Sequence, residues 1–242
     1  MKIISMLLVF AVTALAQNPP RMYRMYHVDV PADSAAEFYA VQRDTAAVYK
    51  NNKAPMPRMA WTNITGEPTF HYLVPLASLD KLDDRTWLSQ QGTEAARQAR
   101  TARLRKATGV MRTEILTAQE ELTWSPNPQA PPDKFLVVTS YSVKPGKVAE
   151  FTALLKESNE VWKKLGKVRN IFVNRVSFGG DGYEFGVAAG YDSLADVPTM
   201  AAFRTAMGND YNAYVQKMGA AIHSLRREIV RYRPEFSYIP SN

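Results

Sequence analysis

The sequence predicts an α+β fold in which two copies of one strand–helix–strand–strand–helix–strand unit follow each other and close on one another. Three observations carry this expectation. The chain matches itself at a spacing of about 113 to 116 residues, the apolar period alternates between strand-like and helix-like in the same order in both copies, and a proline-rich segment separates them.

The first element is a processing signal. Lys2 supplies a positive start, residues 3–14 form an apolar stretch, and Ala14-Leu15-Ala16 has the small-x-small form of a cleavage site. The stretch is short for a membrane span and Pro19-Pro20 ends it, so residues 1–16 are expected to be removed, leaving an exported, periplasmic or secreted protein without stable membrane insertion.

The first copy spans 21–124. Strands are expected at 22–30, 58–65, Thr69–Leu76 and 110–117, with helices at 34–50 and 78–108. A linker at 125–132 holds four prolines, and the second copy spans 133–238. There, Phe135–Val143 is rich in β-branched and aromatic residues. The helix that follows carries Phe151, Leu154, Leu155, Ser158, Val161 and Trp162 on one face. Strands at 170–178 and 183–189 flank the turn Gly179-Gly180-Asp181-Gly182. A long helical stretch places Tyr211, Tyr214, Val215, Met218, Ile222 and Leu225 on one face before a last strand at 226–232.

The matches between copies are ordered. Glu150-Phe151 repeats Glu37-Phe38 and Gly179 repeats Gly66, both at an offset of 113. Arg226, Glu228 and Glu235-Phe236 repeat Arg112, Glu114 and Glu121-Leu122 at 114. Strand-helix-strand twice over gives an antiparallel ferredoxin-like sheet with both helices on one face. Its bare face needs cover, so the two sheets are expected to pack face to face as an intrachain α/β barrel.

Val138-Thr139-Ser140-Tyr141-Ser142-Val143-Lys144-Pro145-Gly146-Lys147 with Glu150-Phe151, followed by Tyr191-Asp192-Ser193-Leu194-Ala195-Asp196, is similar to the NIPSNAP-like branch of the dimeric α/β-barrel superfamily. The resemblance covers the second copy and, by repetition, nearly all of the chain after the leader. It implies a small-molecule pocket between sheet and helices. Members of the superfamily include cofactor-free monooxygenases, isomerases and haem enzymes.

Composition narrows the chemistry. Cys is absent, which excludes disulfides, thiolate nucleophiles and Cys-held metal. A net charge of +7 is scattered along the chain, and no nucleic-acid partner is expected. No phosphate loop, serine elbow or paired-carboxylate motif occurs, and no cofactor or metal site is expected.

Polar positions that differ between copies are the better site candidates. By that filter Arg112/Arg226 and Glu114/Glu228 serve the fold. His27 stands where the second copy has Ser140, and His71 where it has Glu184. The first and third strands are neighbours in a ferredoxin-like sheet, so the two imidazoles are expected to approach each other. Beside Tyr26, Trp61 and Tyr72 they suit proton transfer on a phenolic or enolic substrate. The competing reading is a pair of half-buried histidines bonded to backbone carbonyls.

In the second helix of the first copy, Ala95, Ala99 and Ala102 stand, at an offset of 116, where the other copy has Tyr211, Val215 and Met218. They imply either close packing or a cavity with Ala99 in its wall. Arg97, Arg100, Arg103 and Arg105 of the same helix read mainly as a solvated face.

The leading expectation is an exported small-molecule-binding protein, as a cofactor-independent enzyme of oxygenase or isomerase type. The alternatives are a non-catalytic binding or assembly module, a homodimer being compatible with either, and a haem barrel with His223 as axial ligand. N-terminal sequencing of protein recovered outside the cytoplasm should begin at Gln17; an intact Met1 there contradicts the leader.

Overall fold

A computed structural model of the chain describes residues 21–66, 68–82, 93–127 and 130–240. The expected leader and cleavage site, Gly92 and part of the linker lie outside them. The first half contains β1 (Met22–Asp29), α1 (Ala35–Asn51), β2 (Met59–Asn63), β3 (Thr69–Leu76), α2 (Glu94–Ala107) and β4 (Met111–Ala118). The second contains β5 (Phe135–Val143), α3 (Val148–Lys164), β6 (Ile171–Phe178), β7 (Glu184–Tyr191), α4 (Met200–Met207), α5 (Tyr211–Ala221) and β8 (Ile222–Tyr232).

The strands form one closed antiparallel barrel in the order β1-β3-β2-β8-β5-β7-β6-β4. Each half supplies four strands in ferredoxin-like order, and the sheets face each other across a shared lumen. Their edges also hydrogen-bond, through Trp61↔Tyr232 to Asn63↔Val230 on one side and through a bulged β4–β6 ladder on the other. No sheet edge is left open in this ring.

Helices cover the outer surface. On α3, Phe151, Leu154, Leu155, Ser158 and Val161 are buried, as their spacing predicts. Two turns differ from expectation. The helical stretch of the second half breaks at Gly208, whose φ is +67°, into α4 and α5. Helix α5 ends at Ala221 because the chain turns extended at Ile222, while the Lys144 ammonium donates to the free carbonyls of Gly219 and Ala220. Ile222, His223 and Leu225 therefore belong to β8. The apolar run there has no period able to separate a helix end from a strand start.

The phase of α2 also differs. Leu104 and Ala107 pack inward onto the cluster of Val28, Phe38, Phe70 and Phe236, so Ala95, Ala99 and Ala102 face solvent. The buried helix ends, Ala107 and Ala221, match at an offset of 114, two residues from the register anchored on Gly92 and Gly208. A shift of two residues turns a helix by about 200°. Ala99 thus lines no cavity, and the inward stripe consists of Arg97, Arg100, Leu104 and Ala107.

The tail of each half is exchanged. Trp124 bridges to Ile171, and Leu122 enters the core of the second half. In return Tyr238 bridges to Arg58, and Phe236 enters the core of the first half with no exposed surface. Phe236→Ala should lower stability by about 3–5 kcal/mol in denaturant unfolding monitored by circular dichroism, since a large ring leaves a closed core. A loss below about 1 kcal/mol would place the tail outside the packing.

Candidate functional site

Strand alternation decides which residues meet. On β1 and β3, Val28 and Phe70 face the helices, so His27 and His71, one residue along, face the lumen. The same alternation brings Asn63 of β2, Glu114 of β4 and Glu228 of β8 to that face. These five residues sit on contiguous strands of the barrel.

His27 and His71 are direct cross-strand partners, and their Nδ1 atoms are 2.8 Å apart. On one side, His27 Nε2 lies 3.2 Å from Glu114 Oε2, and Arg112 approaches the other carboxylate oxygen at 3.1 Å. On the other, His71 Nε2 lies 2.7 Å from Asn63 Oδ1, Asn63 Nδ2 donates to Glu228 at 2.8 Å, and Arg226 donates to the same oxygen at 2.5 Å. The result is one unbroken relay, Arg112–Glu114–His27–His71–Asn63–Glu228–Arg226.

The relay lies at the end of the barrel formed by the β2–β3 and β6–β7 turns. Gly66 packs against Glu228 and Gly179 against Glu114. Both glycines have left-handed φ, +82° and +90°, and a Cβ at Gly179 would lie 2.4 Å from the Thr113 carbonyl oxygen. The two arginines are more than half exposed at the rim, whereas both carboxylates are nearly buried.

Burial, reinforced by the positive charges of His27, Arg226 and Arg112, pulls His71 down to about 3. For Glu114, burial acts upward, but the hydrogen bond and charge of His27 and the charge of Arg112 outweigh it and hold the carboxyl below its ordinary value. Trp61 is opposite His71 in the ladder and packs near Tyr232. Its indole N–H is buried without a hydrogen-bond partner among the described residues.

Tyr26 and Tyr72 occupy the opposite face, stacked 4.3 Å apart under α1, and do not flank the imidazoles. There Arg58, fully enclosed, donates to the Phe236 carbonyl and to Gln42 Oε1 and lies 4.6 Å over the Tyr72 ring. That cluster ties the exchanged tail to α1. His223 is exposed at the start of β8.

Glu114, Glu228 and Asn63 were missed as site residues. The copy-to-copy filter set both carboxylates aside because they match, although each half's glutamate supports a different end of the histidine pair. Alternation along β4 and β8 was the available signal.

The geometry defines a single-chain, eight-stranded closed barrel with ferredoxin-like halves. No family pattern matches the sequence, and no curated protein matches it. Among solved structures, it is similar to a candidate monooxygenase of Fusobacterium nucleatum at 13% identity, covering 88% of this chain and 92% of that one, with a TM-score of 0.61. An anthrone oxidase-like protein matches at 12% identity over 88% and 92%, with a TM-score of 0.62. A variant chlorite dismutase from Candidatus Nitrospira defluvii matches at 10% over 88% and 92%, with a TM-score of 0.51. At such identities the likeness is one of fold.

His71 gives the site a pH signature. Its folded pKa lies below its unfolded value near 6.5, so the unfolded chain binds the extra proton as pH falls between about 6.5 and 3. Stability contributed by a neutral His71 is present above that window and is lost through it, by roughly 3–5 kcal/mol. Urea titrations across the window should show a flatter acid limb in His71→Gln; equal limbs would contradict the burial.

Proposed function

We propose that this chain binds a small oxygen-bearing organic molecule, phenolic or enolic in character, at the turn end of its barrel. There it exchanges a proton with the His27–Glu114 pair without a cofactor. The relay is the observation that carries the reading. Four strands set two imidazoles between two arginine-backed carboxylates, with a fifth holding the bridging amide, which is far more polar organisation than a barrel interior needs for packing. The Trp61 N–H, without a partner among the described residues, is a donor for an oxygen of the occupant, and an unmade buried hydrogen bond of this kind costs about 1–3 kcal/mol.

The roles follow from the environments. His71, held near 3, is too weak a base to take a substrate proton at neutral pH and serves to orient His27. The partly exposed His27 and the nearly buried Glu114 exchange the proton, and Arg112 offers positive charge to the anion that forms. Such a centre fits the chemistry named by the anthrone oxidase-like neighbour. Loss of a carbon-bound proton from anthrone gives an enolate, which dioxygen oxidises to the quinone with water as the second product.

The resemblance to the NIPSNAP-like branch and the leader at 1–16 support a reading as an exported member of that branch, its halves derived by duplication. A second reading, a module that assembles through its surface, is favoured by the exposed side chains of Val110, Met111 and Phe178. Native mass decides whether they join two copies.

Anthrone and 2-naphthol are suitable probes. Saturable binding that perturbs the His27 ring is expected, with quinone formation slowed roughly 10²–10⁴-fold in His27→Gln. Absence of binding by either probe, with quinone formation no faster than in buffer, would overturn the proposal.

A further inference from the structure

All four ring nitrogens of His27 and His71 and both amide atoms of Asn63 have a neighbour in the relay, so its donors and acceptors can be assigned in order. Glu228 Oε1 accepts from Arg226, and the group of Asn63 that faces it must donate. This fixes the carboxamide with Nδ2 toward Glu228 and Oδ1 toward His71; the reversed amide would set oxygen against oxygen. Asn63 Oδ1 only accepts, so His71 must carry its hydrogen on Nε2. A neutral His71 then presents a bare Nδ1. For the 2.8 Å contact between the Nδ1 atoms to be a hydrogen bond, His27 must donate from Nδ1. Its Nε2 remains, 3.2 Å from Glu114 Oε2, and that contact is a hydrogen bond only if one more proton lies between the two atoms.

From this parity we propose that Asn63, clamped by Glu228, is a positioning residue that sets the tautomer of His71 and obliges the His27–Glu114 pair to hold one exchangeable proton. The charged and titratable groups facing the histidines are Glu114 and Arg112 from β4 and Glu228 and Arg226 from β8. Arg112 on Glu114 favours the form with carboxylate on Glu114 and the proton on His27. The resting centre therefore carries one proton that must pass to solvent at the rim before it can take a carbon-bound proton. It becomes a base only after that proton leaves, when the bare Nε2 of His27 faces the Glu114 carboxylate.

The opposite polarity needs no extra proton. If His71 donated from Nδ1 to His27, and His27 from Nε2 to Glu114, both rings would be neutral and every contact satisfied except the one with Asn63. A single amide thus separates a loaded relay from an empty one, which makes the inference testable by removing it.

The chain has three histidines, and ¹⁵N-histidine labelling of the full-length protein, assigned through single His→Gln variants, reads each ring nitrogen directly. In the unmutated protein at neutral pH, His71 should be singly protonated on Nε2 and His27 protonated on both nitrogens. In Asn63→Leu, the His71 proton should move to Nδ1 and His27 should become singly protonated. Asn63→Asp keeps an acceptor toward His71 and should retain the Nε2 tautomer, which provides a reading should the leucine variant fail to fold. A wild-type His71 protonated on Nδ1, or nitrogen signals unchanged in Asn63→Leu, would overturn the assignment. The inference rests on the proposed reading of this centre for its chemical use, and the two fail separately. Loss of probe binding with these tautomers intact ends only the function, and binding with the opposite tautomers ends only the inference.

Discussion

Closure of the barrel is the constraint from which the site follows. A sheet of eight strands joined edge to edge sends every second side chain into a common interior just wide enough for side chains to fill. Polar groups placed there have little water to turn to. They either find each other or leave costly unpaired atoms. In this chain β4, β1, β3, β2 and β8 are consecutive in the ring, although β8 comes from the far half of the sequence. The β2–β8 seam is thus what carries the relay from Asn63 into Glu228, and without it the histidine pair would have support on one side only.

Much of this fold was legible before any coordinates. Alternating β-branched and aromatic residues gave β3 and β5 their full extents, and the succession of strand-like and helix-like periods gave the order of elements. The approach of His27 to His71 followed from one topological rule about the first and third strands. Three things were not legible, each for a definite reason. Facing was lost at Tyr26 and Tyr72, which adjoin the histidines in sequence and for that very reason point the other way. Helix phase was not legible at Ala99, because an alignment anchored on a single glycine pair carries no information about rotation. The carboxylates were not legible because a residue that matches between halves can serve the fold and the site alike.

Pseudo-symmetric barrels give matching residues such a double duty. Arg112–Glu114 and Arg226–Glu228 occupy matching positions in the two halves and arrive at the same end of the lumen. What breaks the symmetry lies between them: two imidazoles and an amide, all from the first half. Identical supports at both ends and a directional middle produce a chain of hydrogen bonds with a definite sense. Function in such a molecule is read from the combination, since neither the pairs that match between halves nor the residues that differ form the centre alone.

The exchanged tails bear on biosynthesis. Phe236 completes the aromatic cluster around Phe38 and Phe70, and Arg58 beside them is satisfied by the carbonyl of that same residue. While the chain emerges from the ribosome, the first half therefore has Gln42 as an acceptor for its buried guanidinium but neither its last core ring nor the second acceptor, the Phe236 carbonyl. It must wait, with an open hydrophobic face, until almost the whole second half has been made. Such a polypeptide stays uncommitted during synthesis and acquires both cores nearly together at the end, a schedule under which helper proteins that shield nascent apolar surface would have the longest access to the segment translated first.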